Sequence, residues 1–98
     1  MTVELLVVPG CPQAAVARAR LGEALERLGR GGAVTEVVVR TPARAEELGF
    51  VGSPAFVVDG RDLFAPPGAP AGLACRRYPG TADGVPSVEE LLAALARR

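Results

Sequence analysis

Cys11 stands where an apolar run, Leu5-Leu6-Val7-Val8, meets Pro9-Gly10-Cys11-Pro12 and a helical pattern begins at once. A thiol there lies at or just before a helix N-terminus. Unpaired backbone N–H groups and the helix dipole favour an anion at such a place. The setting is expected to lower the thiol pKa below its free value of about 8.5, and the thiolate is the nucleophile toward disulfides, peroxides and soft metals. The competing reading of Cys11 is a small buried hydrophobe. The chain has one other cysteine, Cys75, flanked by Arg76 and Arg77. If Cys75 approaches Cys11 it can resolve an oxidised Cys11 as a disulfide; if not, it is a buried structural thiol.

Missing residue types narrow the chemistry further. There is no His, which removes Ser-His and Cys-His catalysis. Two cysteines alone cannot complete a tetrahedral zinc shell within one chain, although a two-coordinate soft ion such as Hg(II) or Cu(I) remains open. All eleven basic residues are Arg, so no lysine can sit beside the thiol. Nothing in the pattern calls for an organic cofactor or a resident metal. Eleven acidic residues balance the arginines, and this neutrality argues against a nucleic-acid partner. Arg76-Arg77 and Arg97-Arg98 read as solvated charges. No apolar run approaches membrane-spanning length and the N-terminus lacks the basic start of a signal peptide, so a cytoplasmic location is expected.

The elements that must position Cys11 can be read from spacing. With 98 residues, 49% of them hydrophobic, the chain suits one domain over 1–98 with a core of Leu, Val and Ala. Residues 2–8 read as a buried strand. A helix is expected over 13–28, with Ala14, Ala17, Leu21, Ala24, Leu25 and Leu28 on one face. Ala33 to Val39 reads as a second strand. Thr41-Pro42 opens a short helix that Gly49 closes. Asp59-Gly60, inside the run from Ala55 to Phe64, signals a tight hairpin. Residues 65–86 hold five prolines and four glycines but are interrupted by Leu73, Cys75 and Tyr78, so they read as a loop-rich excursion with a core tyrosine. Ser87 and Glu90 form a capping box for the last helix, whose stripe is Val88, Leu91, Leu92 and Leu95.

The order β-α-β-α-β-β-α predicts an α/β fold: a mixed four-stranded sheet with helices on both faces. The first two strands should be parallel, joined by a right-handed crossover. They are expected inside the sheet, flanked by the first and third helices.

With Cys11 just after the first strand and Ser53-Pro54 just before the third, this order resembles the thioredoxin fold. "PGCP" at 9–12, "LGFVGSPAFVVDG" at 48–60 and "GLACRRY" at 72–78 resemble a group of small bacterial thioredoxin-like proteins. Some members of that group carry selenocysteine at the Cys11 position, and some are labelled alkylmercury lyase. The resemblance implies a cis Ser53-Pro54 bond with Pro54 facing Cys11. It also implies substrate contacts at Pro12, Ser53 and Pro54, with an extended substrate backbone pairing at Ser53 beside Val51-Gly52. The chain departs from thioredoxins at Ala14, which stands where the second cysteine of C-x-x-C belongs. A resolving thiol would have to be Cys75. The leading expectation is a thiol-disulfide oxidoreductase or thiol-dependent reductase acting on a protein or small-molecule thiol or disulfide, with Cys11 as nucleophile. The alternatives are a soft-metal thiol-binding module and a non-catalytic interaction domain.

Overall fold

The computed structural model describes residues 1–65, 68–74, 76, 78–79 and 81–97. They form an α/β fold in the order β1 (Val3–Val7), α1 (Ala14–Arg27), β2 (Thr35–Val38), α2 (Pro42–Leu48), β3 (Ala55–Val58), β4 (Arg61–Asp62) and α3 (Val88–Arg97). The four strands make one mixed open sheet in the order β2-β1-β3-β4. β1 runs parallel to β2, as a helical crossover requires, and antiparallel to β3.

This order corrects the expectation that the first two strands lie inside. β1 and β3 are central, and β2 is an edge strand whose residues are mostly exposed. The reason lies in β3. All four of its residues are buried, whereas Thr35 and Glu36 of β2 face solvent. A strand buried on both faces belongs at the centre of a sheet.

Alternation along the central strands builds two cores. Val3, Leu5 and Val7 of β1 join Phe56 and Val58 of β3 on the face covered by α1 and α3. Leu6, Ala55 and Val57 point the other way, to Ala45 of α2, Phe50 and Val39. The helices thus lie on both faces, but α1 and α3 share one face and α2 takes the other. α1 buries Ala17, Leu21, Ala24 and Leu25, while Leu28, expected on that stripe, is 40% exposed at the helix C-cap. The long excursion after β4 adds Tyr78 and Val85 to the α1/α3 core, and Leu73 stays exposed.

Local signals fix the element ends. Thr41 Oγ1 accepts the Arg44 amide at 3.1 Å, Pro42 takes the first helical position, and Gly49 closes α2 at φ +65°. Asp59 and Gly60 both hold positive φ, as a two-residue hairpin turn needs. Ser87 and Glu90 exchange reciprocal bonds of 3.0 and 3.1 Å, the complete capping box. Arg20 of α1 ties the approach to α3, reaching Asp83 at 2.6 Å and the Val85 carbonyl at 3.0 Å.

Two outcomes follow from these contacts. Ser87→Ala should lower unfolding stability by about 1 kcal/mol, read as a shifted urea midpoint at unchanged m-value. The Arg20 bond, with help from the Val85 amide, holds the Asp83 carboxyl below its ordinary value of 3.8. A depressed folded value stabilises the fold above the unfolded value, and that stabilisation is lost as the pH falls through the folded one. Urea midpoints should therefore drop on acidification below about pH 4, and Asp83→Asn should flatten that slope.

Candidate functional site

Pro9-Gly10 turns the chain out of β1. The Cys11 amide bonds the Val8 carbonyl at 3.2 Å and Gly10 holds φ +70°. Proline followed by a positive-φ glycine is the type II turn signature. A second bond, from the Ala14 amide to the Cys11 carbonyl at 3.3 Å, leads into α1, whose N-cap is Gln13. Cys11 is therefore set two residues before the N-cap. It is a free, half-buried thiol at the margin of the α1/α3 core. Its Sγ donates to Gln13 Oε1 at 3.7 Å, and Gln13 makes no side-chain bond to the helix amides.

Val8 joins this turn to the segment before β3. While its carbonyl accepts from Cys11, its amide donates to Ser53 Oγ at 3.1 Å. Ser53 is fully buried, and the Ser53-Pro54 bond is cis. The main chain of Ser53 is also engaged: its N–H donates to the Ala74 carbonyl and its carbonyl accepts the Arg76 amide, both at 2.8 Å. The backbone edge expected to be open to a substrate at Ser53 is thus paired within the chain.

Around this edge lies a polar chain that the local sequence pattern does not disclose. Tyr78, 6% exposed, donates its hydroxyl to the Pro54 carbonyl at 2.6 Å. Its ring packs edge-to-face on Phe64 and Phe56, with centroids 5.3 and 5.8 Å away. Arg76 lies with its guanidinium 4.5 Å from the Tyr78 ring centroid and pairs with Asp62 at 2.7 Å. The two side chains are only 15% and 10% exposed, which corrects the reading of Arg76 as a solvated charge. The second carboxylate oxygen of Asp62 accepts the Phe64 and Ala65 amides at 2.9 and 3.0 Å. An Asp two and three residues before such amides is an Asx-turn signal, the one local clue to Asp62. Its pairing with Arg76 spans fourteen residues and has no periodic signature.

Of the expected site residues, the fold joins Cys11 and Ser53 through their shared bonds to Val8, with Pro54 buried next in sequence. Pro12 is exposed. Cys75 and Arg77 lie outside the described residues. Among the described residues no group of three or more His, Cys, Asp or Glu is placed to hold a metal ion, and no helix is long and apolar enough to cross a membrane. No protein-family model, curated protein or solved structure matches the chain.

The environment of Tyr78 gives three measurable outcomes. Burial pushes its phenol well above the ordinary 10, against the opposing pull of Arg76 and with a smaller push from Asp62. It is the chain's one tyrosine, so ultraviolet titration of the native protein should show no phenolate at pH values where the urea-unfolded chain has ionised. A raised folded value contributes stability below 10 that is lost as the pH climbs from there toward the folded value. Asp62→Ala should cost about 3 kcal/mol in denaturant unfolding, since it strands the Arg76 guanidinium; Arg76→Met should cost less.

Proposed function

We propose that the chain is a thioredoxin-like thiol redox protein in which Cys11 is the nucleophile. One observation carries the reading. Val8, just past β1, is bonded at once to the Cys11 amide and to Ser53 Oγ, so the turn that carries the free Cys11 is tied to the loop that enters β3. Two fold features support the thioredoxin-like assignment. A parallel β1-α1-β2 unit is followed by an antiparallel β3-β4 hairpin, and α1 and α3 lie on one face of the sheet with α2 on the other.

The chemistry is thiol-disulfide exchange. The Cys11 thiolate attacks one sulfur of a disulfide, forms a mixed disulfide and releases the other half as a thiolate. A second thiol then attacks the Cys11 sulfur, releases the bound half and leaves a new disulfide, which an external thiol must reduce for turnover. Cys75 is the other cysteine of the chain and the candidate for that second thiol. Its sequence neighbours Ala74 and Arg76 both bond the main chain of Ser53.

Glutathione disulfide, with excess reduced glutathione as the recycling thiol, tests the reading. Cys11→Ser should fall to the rate without protein. Cys75→Ser should still take up glutathione at Cys11, seen as a mass increase that reverses on reduction. A wild-type rate equal to the protein-free rate, or undiminished turnover by Cys11→Ser, would overturn the proposal.

A further inference from the structure

An extended polypeptide gains affinity for a backbone edge by pairing with its free N–H and C=O groups. Next to Cys11 that edge is Ser53, reached through the shared bonds of Val8. This chain fills the edge with itself. Ala74 takes the Ser53 N–H, Arg76 supplies the amide for the Ser53 carbonyl, and the Gly72 amide bonds the Phe50 carbonyl at 3.0 Å. The approach is close at Gly52, which holds φ +153°: a Cβ there would lie 2.8 Å from the Arg76 Cβ. Glycine at 52 leaves room for the Arg76 side chain to lie against its backbone.

We propose that Gly72, Ala74, Arg76 and Tyr78 form a built-in cover over the Phe50–Ser53 edge, latched by the Arg76–Asp62 ion pair, and that the closed latch restricts the Cys11 site to small thiols and disulfides. The substrate class rests on the redox reading above; the cover does not. Three contacts hold it at the Arg76 end. The guanidinium is paired with Asp62, it lies over the Tyr78 ring, and the Tyr78 hydroxyl is bonded to the Pro54 carbonyl. A small disulfide needs no main-chain pairing, only a path to the thiol, and Gly10 and Pro12 on either side of Cys11 are exposed. An extended polypeptide must first displace Ala74 and Arg76 from Ser53.

Two mixed disulfides with the same thionitrobenzoate leaving group test this, one on N-acetylcysteine and one on a cysteine in the middle of an extended peptide. The Cys11 thiolate attacks the cysteine sulfur, a Cys11 disulfide replaces the reagent's own, and thionitrobenzoate leaves as a coloured anion. A Cys75→Ser background assigns the signal to Cys11. With the latch closed the two reagents should react at similar rates. Arg76→Ala, or the shape-keeping Asp62→Asn, should speed the peptide reagent relative to the small one by about tenfold, the worth of two recovered main-chain bonds. Amide hydrogen exchange at positions 53 and 76 should be slow in the parent and fast in both variants. A parent that already prefers the peptide reagent by about tenfold, variants that move both reagents equally, or exchange unchanged by the substitutions would overturn the cover. The reagents report on any accessible thiol. A chain that shows this selectivity without turning over glutathione disulfide keeps the cover and loses the redox reading; one that turns over but prefers the peptide keeps the redox reading and loses the cover.

Discussion

β1 is paired along both edges and buried against helices on both faces, and the rest of the molecule is arranged around that constraint. Five residues carry it, Val3 to Val7, with β2 on one side and β3 on the other. Val3, Leu5 and Val7 face the α1/α3 core and Leu6 faces the α2 core, so the strand belongs to both. A one-residue slip would exchange the two sets of side chains between cores of different shape. The register of β1 therefore fixes where its last carbonyls and amides emerge, and with them the turn that presents Cys11. The thiol lies one turn beyond the least adjustable strand of the sheet.

The second organising feature is polar. Ser53, Tyr78, Asp62 and Arg76 all lie inside or at the margin of a core that is otherwise aliphatic and aromatic. Buried polar groups are costly unless bonded, and these meet that requirement through one another and through main-chain groups. Ser53 uses its hydroxyl, its N–H and its carbonyl; Asp62 uses both carboxylate oxygens. The Gly- and Pro-rich stretch after the hairpin has no helix or strand among its described residues, yet it is held to the sheet by these bonds. A low content of regular structure here coexists with dense hydrogen bonding.

Much of the fold was legible from local chemistry. The helix over 13–28, the Thr41-Pro42 start, the Asp59-Gly60 turn and the Ser87/Glu90 box each depend on residues within a few positions of one another, and each lies where spacing puts it. Strand order was not legible in the same way. Ala33 to Val39 reads as apolar as a central strand, but which strand occupies the second edge of β1 is decided by long-range pairing with β3. Arg76 escaped for a related reason. An arginine beside another arginine reads as solvated, and only the distant Asp62 and the Tyr78 ring make its burial tolerable. Of the candidate site, the placement of Cys11 at a strand-to-helix junction followed from sequence. The internal pairing of Ser53 did not, because main-chain partners carry no side-chain signature.

The exposed position of β2 bears on how the protein behaves in concentrated solution. The strand is at the edge of the sheet, short, and carries Val38 at 37% exposure. An unpaired edge with an outward valine is a template for sheet-to-sheet association, and a charge placed on it blunts that tendency. Glu36 is that charge, and Arg18 of α1 holds it in place by an ion pair. The pair adds little to folding at such exposure. Its larger effect is colloidal: it sets a fixed, hydrated carboxylate in the middle of the strand and so keeps the flank of the sheet from becoming adhesive.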